Sequence, residues 1–172
     1  MKAKILLPLV LGLPVSALAD DLFISEYIEG SSNNKAIEIY NPTDSAIDLT
    51  GYRLEIYSNG GTSAGTTIAL SGSLASGDVY VVADDGADPA ILAVTDLTST
   101  SSFYNGDDAV LLVNGSAVVD SFGQLGVDPG SYWESNGVRT QNRTLVRKAS
   151  VTAGDITPED AFDVSLEWEQ FA

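Results

Sequence analysis

The sequence predicts an all-β fold, an antiparallel β-sandwich built from short strands. Runs in which apolar and polar residues alternate with period two, rich in β-branched and aromatic side chains, recur along the chain. Clusters of Gly, Asn, Asp, Ser and Pro separate these runs at short intervals, and helical periodicity is weak after the N-terminal segment. An amphipathic sheet must bury its apolar face, so we expect two sheets that face each other.

Eight alternating runs carry the strand prediction. In chain order they are 22–28, 35–40, 52–57, 66–70, 78–83, 109–113, 117–122 and 144–147. The turn clusters between them lie at 30–34, 41–44, 58–61, 71–72, 76–77 and 114–115. Asn114-Gly115 suits a type I′ turn, whose central residues need positive φ, and so predicts a hairpin. Pro89, at a favoured first helical position, predicts one helical turn over 88–92.

The core residues are predicted from the apolar face of each alternating run. Of the 172 residues, 44% are hydrophobic and 19% are charged, which is typical of one globular domain. No linker or repeat divides the chain, so we expect a single domain over residues 20–172. The residues expected in its core are Phe23, Ile37, Ile39, Leu54, Ile56, Val79, Val81, Val110, Leu112, Val119 and Leu145.

The first nineteen residues have the pattern of a signal peptide. Lys2 and Lys4 precede an apolar run over 5–15, and Ala17 and Ala19 are the small residues that a signal peptidase recognises. A bilayer-spanning helix needs about 20 apolar residues, which this run does not supply. We therefore expect cleavage after Ala19 and secretion without a membrane anchor. An exported chain without cysteine is typical of bacteria, where secreted domains often lack disulfides.

Composition excludes several classes of active site. The chain has no Cys and no His, which rules out disulfides, thiolate nucleophiles, Ser-His-Asp triads and His-based zinc sites. Glu26 and Glu29, with Glu38 nearby, could be read as the carboxyl pair of a glycosidase, but strand alternation favours surface charge. We expect a protein that is not an enzyme and that requires no cofactor.

The basic residues are unevenly distributed, and four of them form what we call the basic cluster. Arg139, Arg143, Arg147 and Lys148 lie within ten positions, while the whole chain has only 8 Lys and Arg against 24 Asp and Glu. The three arginines all have odd residue numbers, so in an extended segment they would line one face. Such a stripe is suited to the phosphates of DNA. The favoured interpretation is internal neutralisation of acidic residues. Four phosphate contacts would lose roughly a hundredfold in affinity between 50 and 200 mM salt, so any DNA contact is expected to be weak.

Two acidic turns offer oxygen ligands of the kind that calcium prefers. One contains Asp84, Asp85 and Asp88, and the other contains Asp107 and Asp108. Neither matches EF-hand spacing, and Asp in turns commonly accepts backbone hydrogen bonds. We therefore favour a structural role at both turns, with calcium binding as the alternative.

An aromatic pair, Tyr132-Trp133, lies between Pro129-Gly130 and Asn136-Gly137. Flat aromatic faces on a loop can stack on sugars or bases. Sandwich cores use aromatic side chains in the same way, so packing is favoured and ligand stacking is the alternative.

Several segments resemble the lamin-tail domain family. Ile39-Tyr40-Asn41 matches the family's apolar-Tyr-Asn strand end, and 47–52 matches the apolar-Asp-Leu-polar-Gly-aromatic stretch that follows it. The hairpin segment 105–126, together with 128–130 and 142–148, is also similar to the family. The resemblance implies an immunoglobulin-like sandwich and covers nearly all of residues 20–172.

The segment SEYIEGSSNNKAIEIYN, residues 25–41, is similar to the non-catalytic N-terminal region of bacterial extracellular nucleases. In those proteins a catalytic domain of the endonuclease/exonuclease/phosphatase type follows, and it relies on His with Asp, Asn and Glu around a metal. This chain has no His, so the resemblance does not extend to nuclease activity. It implies an accessory or binding domain that contacts DNA or an attached nuclease domain weakly. The alternative is a free-standing adhesion or matrix-interaction module, and the sequence does not indicate an oligomeric state.

Overall fold

The computed structural model describes residues 21–171, so the predicted signal peptide lies outside the described residues. Short strands dominate this part of the chain, as alternation predicts, and two one-turn helices interrupt them. The strands are β1 (Phe23–Glu29), β2 (Lys35–Tyr40), β3 (Ile47–Asp48), β4 (Tyr52–Tyr57), β5 (Thr66–Ala69), β6 (Ser73–Leu74), β7 (Val79–Asp84), β8 (Leu97–Ser99), β9 (Ala109–Asn114), β10 (Ala117–Phe122), β11 (Glu134–Ser135), β12 (Val138–Arg139), β13 (Arg143–Arg147) and β14 (Trp168–Phe171). The helices are α1 (Pro89–Leu92) and α2 (Val164–Glu167).

Two sheets form the sandwich. The larger has six strands in the order β14-β13-β1-β2-β7-β8, and the smaller has four in the order β10-β9-β4-β5. The pairing is antiparallel except between β7 and β8, which are parallel. Two ribbons, β3-β6 and β11-β12, complete the described structure. The all-β, immunoglobulin-like sandwich predicted from the sequence is confirmed.

The strand predictions agree closely with the observed bounds. Those over 35–40, 52–57 and 117–122 coincide with β2, β4 and β10, and the other five differ by a residue at one or both ends. The helical turn at Pro89 is present, and the Asp88 side chain caps it by accepting a hydrogen bond from the backbone of Ala90. The elements that were not predicted are mostly two to four residues long, too short for periodicity to show.

The hairpin predicted at Asn114-Gly115 is present, but its turn lies one residue later. Asn114 pairs with Ala117 at the end of β9 and β10, so the turn residues are Gly115 and Ser116. Only Gly115 of these two has positive φ, at 58°. A two-residue hairpin turn with glycine first and no positive φ at the second position fits type II′, and the type I′ prediction is wrong.

Stacked aromatic rings fill the space between the sheets. The Tyr27 ring lies 4.0 Å from Phe122 and 4.6 Å from Tyr104, centroid to centroid. The Tyr104 hydroxyl donates hydrogen bonds to the backbone carbonyls of Ala36, at 2.6 Å, and Ile28, at 3.0 Å. These bonds satisfy the buried hydroxyl and tie the 103–108 loop to the larger sheet.

The core prediction was wrong for one residue of β7, Val79, and right for Val81, which is buried. Val79 is 36% exposed, and Val81 packs on the outer face of the larger sheet in a cluster with Ala83. The inward-facing residues of this strand are Tyr80 and Val82. Helix α1 covers part of the outer face, where Ile91 packs against the cluster that contains Val81, so both faces of β7 are apolar and Val81 is buried on the outer one.

The C-terminal part of the chain belongs to the same sheet as its N-terminal strand. β13 lies between β14 and β1, with Leu145 opposite Tyr27 and Trp168 opposite Arg147. Both Leu145 and Trp168 are buried in the core. Neither helix in residues 21–171 has the length and hydropathy to cross a bilayer.

Candidate functional site

The predicted arginine stripe is not formed. Arg147 shares its strand face with Leu145, and that face is turned to the core, so its guanidinium is buried rather than displayed beside Arg143. Arg143 donates a hydrogen bond to the neighbouring Asn142 carbonyl at 2.6 Å. Arg139 belongs to a different sheet, where its guanidinium lies 5.7 Å from the centre of the Tyr132 ring. The amino group of Lys148 donates to the Ser165 and Leu166 carbonyls.

Arg147 is the centre of a buried ion network. Its guanidinium donates to the Asp120 carboxylate, whose side chain is 0% exposed, and to Glu167 at 2.5 Å. It also lies 4.9 Å from the centre of the Trp168 ring and 5.7 Å from the centre of the Phe23 ring. Burial alone lowers the pKa of Arg147, but the charges of Asp120 and Glu167 outweigh it and raise the pKa. This arginine holds the fold together and is not placed to meet a ligand.

Asp120 connects four segments of the chain. Besides Arg147, its carboxylate accepts hydrogen bonds from the backbone N–H groups of Ile24, Ser121 and Asp155. Internal neutralisation, the favoured interpretation of the basic cluster, therefore describes Arg147, although its acidic partners lie 27 and 20 residues away in sequence.

The aromatic pair is divided between surface and core. Trp133 is buried, and its ring meets Phe162 edge-on at 5.5 Å. Its backbone N–H donates to the Thr140 hydroxyl, which in turn donates to the Gly106 carbonyl. Trp133 is thus an anchor for this loop and not the exposed platform of the alternative interpretation. Tyr132 remains partly exposed beside Arg139.

The first acidic turn uses its carboxylates for local hydrogen bonds. Asp84 accepts from the Asn33 amide and the Gly86 backbone, both at 2.8 Å, and Asp88 caps α1. Asp85 is exposed. These contacts are the structural role that turn chemistry favours.

The second acidic turn contains an unpaired buried oxygen. Asp108 accepts backbone hydrogen bonds from Asn59 and Asn105, at 2.9 and 3.0 Å. Asp107 is also buried, and its Oδ1 has no hydrogen-bond partner within residues 21–171. Burial, followed by the negative charge of Asp108, raises the pKa of Asp107 above its ordinary 3.8. In the described part of the chain no three acidic side chains form a group suited to a metal, and calcium binding stays a prediction.

Replacing Asp107 with asparagine is expected to raise the melting temperature at pH 7. A raised folded-state pKa means that ionisation of Asp107 disfavours the fold, so stability is lost as pH rises from its ordinary value of 3.8 through the raised one. The rise in melting temperature caused by the substitution should be smaller at pH 3, where Asp107 is largely protonated. Thermal melts at the two pH values test this, with exposed Asp44→Asn as the control. A lower melting temperature at pH 7 would contradict the assignment of Asp107 as an unfavourable buried charge.

A surface groove lies on the outer face of the larger sheet, and the sequence did not indicate it. Its floor contains Ile28, Ala36 and Val81, and Ile91 and Val94 form one wall. We call this feature the outer groove; its volume is about 270 Å³. Ile91 of α1 packs against the cluster of Ala36, Val81 and Ala83 at one side of this groove.

Glu26 and Glu38 close the other side of the outer groove, and we call them the glutamate pair. They occupy directly opposed positions on β1 and β2. The Glu38 carboxylate accepts a hydrogen bond from the Ser25 hydroxyl at 2.7 Å. Glu29, which sequence reasoning considered beside them, is instead buried, where it forms a 2.7 Å ion pair with Lys35. The three carboxylates therefore do not form one site.

Comparison with known proteins identifies one matching family. The model of the family described as Lamin Tail Domain matches residues 16–126, which is 111 of the 172 residues. No curated protein matches the chain. The matched stretch includes the outer groove and the glutamate pair, and it ends before the basic cluster.

Proposed function

The chain belongs to the lamin tail domain family, and from this premise we propose that it is a non-catalytic binding module of an exported bacterial protein, accessory to an extracellular nuclease. A lamin tail domain alone is a β-sandwich without catalytic activity. The likeness of residues 25–41 to the N-terminal regions of bacterial nucleases supports the association with a nuclease. The lack of Cys and His supports a binding role over a catalytic one.

The pairing of three of the six basic residues in 20–172 with internal acidic partners is the observation that favours a protein partner over nucleic acid. Lys35 pairs with Glu29, Arg53 with Glu55, and Arg147 with Asp120 and Glu167. Residues 20–172 carry a net charge of −18, because loss of Lys2 and Lys4 lowers the −16 of the whole chain. A DNA phosphate backbone would meet this negative field with few free cations to offset it.

Purified residues 20–172 are expected neither to cleave nor to shift duplex DNA in a gel at about 150 mM salt, with Mg²⁺ or Ca²⁺ present. Cleavage is measured across the fractions of a final sizing column, so that a contaminating nuclease is recognised by its separate elution. The matched control for binding is Arg143→Glu, which reverses a partly exposed charge. Activity that follows the protein peak, or a gel shift that Arg143→Glu abolishes, would contradict the proposal.

Export and nuclease association have separate tests. Expression of the full chain in a bacterial host should yield an exported form that begins at Asp20, measured by intact mass. Sequencing the DNA that flanks the coding segment should reveal a nuclease catalytic domain, in the same frame or an adjacent one. Flanking DNA without such a domain would instead favour the free-standing adhesion or matrix module.

A further inference from the structure

The glutamate pair is a concentration of negative charge that the described structure does not neutralise. Its two carboxylates occupy opposed positions on adjacent strands, where like charges repel. Burial, followed by the charge of Glu38, raises the pKa of Glu26. Within residues 21–171 neither glutamate forms an ion pair with Lys or Arg. A cation from outside the molecule would relieve this repulsion.

The outer groove beside the pair presents apolar surface with no covering segment among the described residues. Ala36 is 1% exposed and Val81 8%, which makes a closed floor, while Val94 on the wall is 66% exposed. An occupant would gain contact with this apolar surface at the same time as it placed a cation between the carboxylates.

We propose that the outer groove and the glutamate pair together bind a basic, apolar peptide segment of a partner protein. A lysine or arginine of that segment meets Glu26 and Glu38, and the neighbouring apolar side chain enters the groove against Val81 and Val94. This inference rests on the proposed binding function and names the partner's chemistry.

Charge and shape favour this occupant over others. A polyamine supplies cations but no side chain to fill an apolar groove. Nucleic acid and anionic membranes carry the same sign of charge as the site. A second copy of the chain carries the same net negative charge, and three of the six cations in residues 20–172, Lys35, Arg53 and Arg147, are held in internal ion pairs.

The test is a titration of ¹⁵N-labelled residues 20–172, followed by NMR, with a short blocked peptide that alternates lysine with leucine. At about 50 mM salt, where exposed charges act over about 14 Å, we expect shifts concentrated on the outer groove and the glutamate pair. Two further probes are a glutamate–leucine peptide, expected not to bind, and a lysine–serine peptide, expected to bind more weakly. Spermidine serves as the cation without an apolar side chain.

Paired variants separate a built site from general acidity. Glu26→Gln with Glu38→Gln should weaken binding of the lysine–leucine peptide about tenfold. The control, Asp44→Asn with Glu159→Gln, removes the same charge from exposed positions outside the groove and should leave affinity within about twofold. Val94→Ser should weaken binding several-fold without lowering the melting temperature, because this side chain is 66% exposed.

Three outcomes would overturn the inference: equal weakening by the control pair, binding of the lysine–serine peptide or spermidine as tight as that of the lysine–leucine peptide, or no binding at all. Thermal melts show that each variant is folded, and removal of the glutamate pair should not lower the melting temperature because it relieves repulsion. The flanking-DNA test of nuclease association is independent, so a failure here leaves that proposal standing.

Discussion

Replacing Arg147 with leucine is expected to reduce the free energy of unfolding by about 3–5 kcal/mol. The substitution leaves Asp120, with a side chain 0% exposed, as a buried charge without its counter-ion. It also removes a bond to the Ile24 carbonyl and the contacts between the guanidinium and the rings of Trp168 and Phe23. Urea unfolding followed by circular dichroism measures the loss.

Arg143→Leu is the matched control for this prediction. It lies on the same strand but is only partly buried, and its bond to the Asn142 carbonyl is local. The control should change stability by no more than about 0.5 kcal/mol. Combining Arg147→Leu with Asp120→Asn removes the orphaned charge and should recover about 1 kcal/mol or more of the loss. An Arg147→Leu loss below about 1 kcal/mol would contradict this prediction, because it would show that removing the arginine does not leave Asp120 as a costly buried charge.

The role of Arg147 shows where sequence reasoning succeeds and where it stops. Alternation correctly placed Arg143 and Arg147 on one face of β13, and the predicted core residue Leu145 lies on that same face, so the two predictions together already turned the arginines inward. Leu145, between them, was predicted in the core and is buried there. Asp120 lies 27 residues away in sequence, and no local pattern links it to the arginine.

Strands longer than four residues were the most predictable part of the fold. In β2, β4 and β10 the alternation of side chains arises within the strand itself, so the sequence alone marks both ends. Strands such as β3 and β6 have only two residues, and the pairing of Ile47 with Leu74 defines them. Such elements depend on long-range contacts, which the alternation of apolar and polar residues in the sequence does not indicate.

The outer groove could not be predicted for a related reason. The opposition of Glu26 and Glu38 depends on the register of β1 against β2, which shifts by one residue at Ser25. A one-residue slip moves side chains to the opposite face of a strand. The wall of the groove depends on α1, whose Ile91 packs against the cluster of Ala36, Val81 and Ala83 from two different strands.

A form of the protein that ends at residue 126 is expected to lack cooperative unfolding, even though the family match ends there. This truncation removes β13 and β14, leaving one side of β1 unpaired. It deletes Leu145 and Trp168 from the core, and it leaves the buried Asp120 without Arg147. Thermal melts and NMR dispersion of residues 20–126, compared with residues 20–171, measure the effect.

A form that ends at residue 163 is the intermediate control. It keeps β13 and Arg147 but lacks α2 and β14, so the 1% exposed Trp168 and the Glu167 carboxylate are lost. Deleting a buried tryptophan side chain alone costs about 3–5 kcal/mol. The free energy of unfolding of this form should therefore fall by more than a single surface substitution would cause. A sharp melting transition in residues 20–126 would contradict the assignment of residues 127–171 to the same folding unit. Because β13 lies between β1 and β14, we expect the melting temperature to be highest for the form that ends at residue 171, lower for the form that ends at 163, and lowest for the form that ends at 126.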